Sequence, residues 1–257
     1  MDAVPAISRL YWRLETLIDP GVRSSQYIYR EVVDANVDAQ TRWLDVGCGH
    51  SIFPEWIDGQ RALAARAAST VGIDYTVGAL GQHSTIRRLV AGDVLRLPFA
   101  PERFSLVTAN MVVEHLADPI AALAEISRIL RPGGRFIFHT PNLWFYQIRL
   151  ASLVPQGLKT QLVAFSEQRA ESDIFRTFYR MNSARAIQRV TDASHLTLVE
   201  LRKMNTSSIG EIFLFGPFVI GALLVRRVLR LEALQNFRSN FIGVLEKPES
   251  PINDAIV

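Results

Sequence analysis

Ile7, Leu10, Tyr11, Leu14, Leu17 and Ile18 recur at intervals of three and four, which predicts a helix that Asp19-Pro20-Gly21 stops. The spacing predicts a second helix over Ser25 to Asn36. From Thr41 short apolar runs alternate with helical patterns: strands at 43–46, 70–73 and 89–92, with helices at about 52–66 and 76–88 between them. The alternation continues through a strand at 104–109, a helix at 117–130, a turn at Arg131-Pro132-Gly133-Gly134 and a strand at 135–140. Repeated βαβ units of this kind imply an α/β fold, with a mostly parallel sheet covered by helices on both faces.

After Pro141 the regularity breaks. About 40 residues rich in aromatic and basic side chains precede a helix predicted at 183–193. Thr197 to Met204 and Asn240 to Glu246 read as strands, separated by a long apolar helical insertion where a short hairpin would have sufficed. The expected organisation is a helical flank over 1–40 and one domain over 41–257, carrying insertions at about 142–182 and 205–239. Pro248 to Val257 is polar and expected to fray.

Composition narrows the class. With 257 residues, 49% hydrophobic and 21% charged, the chain suits one large globular domain. Its 28 basic and 25 acidic residues leave a net charge of +3, which gives no case for a nucleic-acid partner. Cys48 is the sole cysteine, so no internal disulfide forms, and the five histidines show no ligand spacing, so no metal site is expected. Arg9, Arg13 and Glu15 interrupt the N-terminus before any signal-like apolar run, which points to a cytoplasmic location. The longest apolar stretch, Ile209 to Val225, contains Glu211 and Pro217 and is short against the roughly 20 residues a spanning helix needs. Any membrane contact would then be peripheral, at the inner face.

The chemistry concentrates in Trp43-Leu-Asp-Val-Gly-Cys-Gly-His-Ser51. Gly47 and Gly49 permit a tight turn against a ligand after a buried strand, and Asp45 puts a carboxylate beside it. A pyrophosphate would be repelled there, whereas a cationic ammonium group, such as that of S-adenosylmethionine, would be attracted. Further along come Val71-Gly-Ile-Asp74, then Ala91-Gly-Asp93-Val94 with Leu97-Pro-Phe99, and then Phe104 to Asn110 followed by Glu114-His115.

In this order and spacing the four segments resemble the class I S-adenosylmethionine-dependent methyltransferases of the type 11 group, closely over about 41–141 and more weakly to the C-terminus. The resemblance implies a Rossmann-like, doubly wound seven-stranded sheet with an antiparallel last strand and helical cap insertions. It implies a donor site of Asp45, Gly47, Cys48, Gly49, Asp74, Tyr75, Asp93, Val94 and Asn110. Asp74 can accept both ribose hydroxyls, Asp93 would take the adenine amino group, and the Val94 amide would read a ring nitrogen. Asn110 ends a strand at the edge where ligands bind. Ser51 replaces the family's third glycine, and a serine there can cap the following helix. Cys48, between two glycines, reads as a small packing residue rather than a nucleophile.

Methyl transfer from a sulfonium needs alignment and desolvation rather than a covalent residue. If the acceptor is a hydroxyl, a base helps; His115 is the first candidate and His139, in an apolar strand, the second. Trp144, Phe145, Tyr146, Arg149, Phe175, Phe178, Tyr179 and Arg180 fall where related enzymes place an acceptor lid; packing as the core of a helical cap is the alternative. Ile209 to Val225 with Arg226, Arg227 and Arg230 suits a membrane interface delivering a lipid-like acceptor, with a buried cap or a homodimer contact as alternatives. The expected function is methylation of a small or lipid-like acceptor on oxygen or carbon. A sugar or glycan acceptor is a second reading, and a non-catalytic cofactor-binding scaffold a third.

Overall fold

The computed structural model describes residues 6–152, 176–206 and 218–249. They group into two units. One is drawn from Met1–Ile28, Pro141–Thr177 and Lys203–Asn240, the other from Tyr29–Thr140, Phe178–Arg202 and Phe241–Val257.

The larger unit is built on a seven-stranded sheet in the order β3-β2-β1-β4-β5-β7-β6. Its strands are β1 (Arg42–Val46), β2 (Ser69–Asp74), β3 (Arg88–Ala91), β4 (Phe104–Asn110), β5 (Leu130–Pro141), β6 (Thr197–Met204) and β7 (Asn240–Glu246). β1 pairs in parallel with β2 and β4, β2 with β3, and β4 with β5, so the sheet is α/β and Rossmann-like. The last strand is antiparallel; reciprocal bonds of Gly133 and Gly134 with Lys247 tie its end to β5. Leu44, Val46, Ile73, Val107, Ala109, Phe136, Phe138 and Phe241 are among the strand residues that build one core. Near-continuous apolar runs in the central strands reflect burial on both faces.

The helices of this unit show where periodicity overran. The helix expected at about 52–66 is α3, Gln60–Arg66. Residues 53–59 are instead held as turns by the Gln60 side chain, which accepts from the Phe53 amide and donates to the Pro54 and Ile57 carbonyls. Ser51 therefore caps nothing; its hydroxyl donates to the Phe53 carbonyl at 2.6 Å. The helix expected at 76–88 shrinks to α4, Val77–Leu80, because the His83 ring Nδ1 accepts from the Thr85 and Ile86 amides and turns the chain toward β3. α5 (Pro119–Ile129) is capped by Asp118, with proline at its start, and α7 (Ala184–Asp192) by Ser183. The Arg131-Pro-Gly-Gly segment lies within β5 as an irregularity: Phe104 pairs with Leu130, but Leu106 with Arg135.

The smaller unit contains α1 (Ala6–Ile18), α6 (Tyr146–Ser152), α8 (Val219–Val228) and a 3-10 segment, Glu232–Phe237. α2 (Ser25–Asp34) runs across the boundary between the units. α8 packs on α1 around Arg226, which is fully buried and donates to Glu15 at 2.5 Å and to the Thr206 carbonyl at 3.1 Å, with Asp19 3.4 Å from its Nε. Arg230 pairs with the other Asp19 oxygen. Two of the three arginines expected to meet lipid headgroups are thus committed to an internal ion-pair cluster. The lid residue Phe175, and Ile209 to Pro217 of the apolar insertion, lie outside the described residues.

Candidate functional site

The site grows from the way β1 ends. Past Val46 the chain reverses through Gly47 (φ +64°) and Gly49 (φ +49°), a left-handed backbone that costs other residues about 1–2 kcal/mol. The Gly47 and Cys48 amides donate to the Ile73 carbonyl at 2.8 and 3.2 Å, stapling the loop to the end of β2. A Cβ at Gly47 would lie 2.4 Å from Val112 Cγ2, so the residue is also required by packing; at Gly49 nothing lies within 4 Å. Gly49 therefore presents bare backbone to open space.

Asp74 closes the loop from the neighbouring strand. Its Oδ2 accepts from the Gly49 amide at 2.9 Å and its Oδ1 from the Thr76 amide at 2.7 Å. Both oxygens are fixed in direction while each keeps a further lone pair for a ligand hydroxyl. From outside, Ser84 donates its amide to the His50 carbonyl at 2.8 Å.

Asp45 lies beneath the loop and is 2% exposed. It pairs in register with Thr108 of β4, whose hydroxyl donates to Asp45 Oδ1 at 2.6 Å and accepts from Trp43 Nε1 at 2.7 Å. Burial pushes the Asp45 carboxyl up to about 8; the Thr108 bond opposes this and the nearby Asp74 charge adds to it. The group is thus largely protonated at neutral pH, and a cation brought close would draw its proton off.

The other expected residues spread along the strand ends. Asp93 is exposed at the end of β3, where its Oδ1 accepts from the Leu95 amide at 2.9 Å, and Val94 packs half-buried against the core. Tyr75 is 79% exposed beside Asp74. Cys48 is buried with its sulfur toward Gly72, and burial pushes its thiol far above the ordinary range, which leaves it without nucleophilic character. Asn110 ends β4 and pairs in register with His139, its Oδ1 2.9 Å from the His139 Nδ1. His139 is 1% exposed and stacked on Tyr29 at 5.4 Å; burial depresses its pKa to about 3, so it is a neutral core histidine. His115 is half-buried in the 3-10 turn Val113–His115, three residues beyond the Val112 that touches Gly47.

Three residues of this region escaped the sequence. Tyr29 is fully buried against His139 and Phe53; burial, reinforced by Asp45, pushes the phenol well up, and the neighbouring Thr108 and Ala109 oppose this. Thr108 was legible only as one more residue in an apolar strand. Glu114, 4% exposed, accepts from Thr140 at 2.9 Å while Thr140 accepts from Asn182 at 2.7 Å; burial raises Glu114 to about 7. The Glu114 carbonyl also accepts the Phe178 and Tyr179 amides, fixing where the chain returns after the first insertion.

These residues fit a donor of the expected kind. A bare glycine backbone, an acid directed by two amides and a buried carboxyl able to ionise toward a cation stand at adjoining strand ends. Among the described residues no cluster of His, Cys, Asp or Glu is placed to hold a metal ion.

Comparison with known proteins agrees. Residues 44–138 match the family model described as a methyltransferase domain. Among curated proteins, the demethylmenaquinone methyltransferase of Mycobacterium sp. (strain KMS) is 34% identical over 143 residues, covering 53% of this chain and 58% of that protein. The enzyme of the same name from Corynebacterium kroppenstedtii is 40% identical over 162 residues, covering 60% and 66%. The chain thus spans between half and two thirds of the length of these relatives. Among solved structures, a SAM-dependent methyltransferase from Methanosarcina mazei superposes with a TM-score of 0.56 at 12% identity, covering 85% of this chain and 98% of that one. The geranyl diphosphate C-methyltransferase of Streptomyces coelicolor A3(2) gives 0.54 at 15%, covering 87% and 79%. At such identities these two establish the fold alone. Residues 44–138 therefore match a methyltransferase domain, carried on the fold of the S-adenosylmethionine-dependent methyltransferases.

Proposed function

We propose that this protein transfers a methyl group from S-adenosylmethionine to a lipid-like acceptor of quinone type, on carbon or oxygen, at the cytoplasmic face of the membrane. The donor half rests on one observation: Asp45, buried and hydrogen-bonded below a glycine loop whose far end is held by Asp74. The acceptor half is supported by the relatives named demethylmenaquinone methyltransferases.

S-adenosylmethionine supplies an electrophilic methyl group on a sulfonium. Asp45 would face the ammonium group of its methionine end, releasing its proton as the cation approaches, and Asp74 would hold the ribose hydroxyls. Asp93 and Val94 would bracket the adenine. Alignment and exclusion of water then do most of the catalytic work in a direct displacement. His115 would take the proton of a ring hydroxyl on the acceptor. Deprotonation makes that oxygen and the adjacent ring carbon nucleophilic; after transfer to carbon the ring C–H proton is lost and the oxygen is protonated again, so one base serves either methylated atom.

Incubation with methyl-labelled donor and fractionated cell extract tests the acceptor. Label in the apolar lipid fraction, on a ring-bearing compound, is expected; label confined to water-soluble sugars would replace this reading with the glycan one.

A further inference from the structure

The smaller unit carries an apolar surface that the donor site does not use. Of the twenty exposed large hydrophobic side chains among the described residues, thirteen belong to it, although it is the shorter part of the chain. Isolated exposed hydrophobics are ordinary, but a concentration marks an interaction surface.

Helix α8 departs from the usual surface helix in being apolar on its outer side as well as around the buried Ala222 and Leu223. Its buried side carries Arg226, met by Glu15 and Asp19, while Ile220, Leu224 and Val228, 48%, 52% and 51% exposed, point outward. Spaced four apart, these three form one stripe. Phe218, 76% exposed, precedes the stripe and Leu231, 61% exposed, extends it. On α1, Leu10 and Leu17, 58% and 79% exposed, lie seven residues apart on one face.

Charge selects the partner. Along α1 and α8 the exposed charged side chains described are Arg13 and Arg227; beyond α8, Arg230 and Glu232 are each taken up in an ion pair, with Asp19 and Arg238. The acids Glu15 and Asp19 are buried within the ion-pair cluster. A two-fold contact with a second copy would set this same patch against itself, where α1 and α8 offer no exposed acid among the described residues to meet the two arginines. An anionic lipid surface would instead meet them with headgroups while taking the stripe into its acyl boundary. No described helix is long and apolar enough to cross a membrane, so such contact would lie in the interface plane.

We propose that α8, assisted by α1, is a docking surface for an anionic lipid bilayer, with the Ile220-Leu224-Val228 stripe in the acyl boundary and Arg13 and Arg227 at the headgroups. Its use in catalysis rests on the lipid-like acceptor proposed above; the docking itself does not.

Flotation of the full chain with vesicles tests it. The protein should float with phosphatidylcholine–phosphatidylglycerol vesicles, less with phosphatidylcholine alone, and less in high salt. Leu224→Asn should lower vesicle affinity by about tenfold, the weight of one interfacial leucine, and Arg227→Glu should weaken binding to the anionic vesicles only. Both positions are exposed, and unchanged S-adenosylmethionine binding would certify the fold of each variant. Absence of flotation, equal flotation of Leu224→Asn, or a wild-type dimer that Leu224→Asn dissociates would overturn the proposal. Vesicle binding with label only in water-soluble products would remove the quinone-type acceptor and leave docking standing; label in lipids without flotation would do the reverse.

Discussion

The Thr108 hydroxyl reaches across the β1–β4 pairing to Asp45 at 2.6 Å and at the same time accepts the Trp43 indole N–H at 2.7 Å. One hydroxyl thus satisfies two buried groups, and through it the motif carboxyl is held to the floor of the sheet. Thr108→Val keeps the shape and removes both bonds. It should cost about 1–3 kcal/mol in chemical denaturation, the penalty for stranding buried polar groups. A loss near zero would mean that water takes over both partners.

Stability should depend on pH in an unusual direction. Asp45 and Glu114 titrate in the fold near 8 and 7, above their unfolded values, so the native state holds protons that the unfolded chain has released. Each stabilises fully below its unfolded pKa and loses that contribution as pH rises through the folded value, by up to about 1.4 kcal/mol per pH unit. His139, depressed to about 3, acts oppositely, but only below its unfolded value near 6.5. The net expectation is a thermal midpoint that falls from pH 6 to pH 8. Asp45→Asn and Glu114→Gln should each flatten that fall; a midpoint rising over this range would contradict both assignments.

The two loop glycines should respond differently to alanine. At Gly47 the new methyl would strike Val112 as well as strain the backbone, so Gly47→Ala should destabilise the fold by about 2 kcal/mol or more. At Gly49 space is open, and the positive φ alone should cost about 1 kcal/mol. Gly49→Ala should therefore lose donor affinity out of proportion to stability, which titration and melting curves on one sample would separate.

In the smaller unit, Glu15→Gln removes one charge from the buried Arg226 cluster. Leaving that cation under-compensated should cost about 3–5 kcal/mol, read in urea. A loss within 0.5 kcal/mol, typical of about any exposed position, would show the cluster to be solvated.

His115→Ala should lower turnover by about a hundredfold with donor affinity unchanged, as expected of a base. An unchanged rate would remove it from the mechanism.

How much of this was legible beforehand differs by level. Strands were, because β1, β4 and β7 are apolar runs bounded by turn residues, and the order Asp45, Asp74, Asp93, Asn110 followed from strand ends. Helix starts were not, since a single side chain, Gln60, holds residues 53–59 in turns that periodicity alone reads as helix. Nor were partnerships made across strands: Thr108 with Asp45 depends on register, and Tyr29 on His139 on a helix docking from some 110 residues away in sequence. The burial of Arg226 was hidden for the same reason, because nothing local shows that Glu15 and Asp19 wait for it.

Calorimetric titration with S-adenosylmethionine tests the central claim most directly. The wild-type chain should bind, and Asp74→Ala, confirmed folded by its melting curve, should bind at least about tenfold more weakly, since the acid holds both the loop and the ribose. No binding by the wild type, or equal affinity in the variant, would contradict the donor site described.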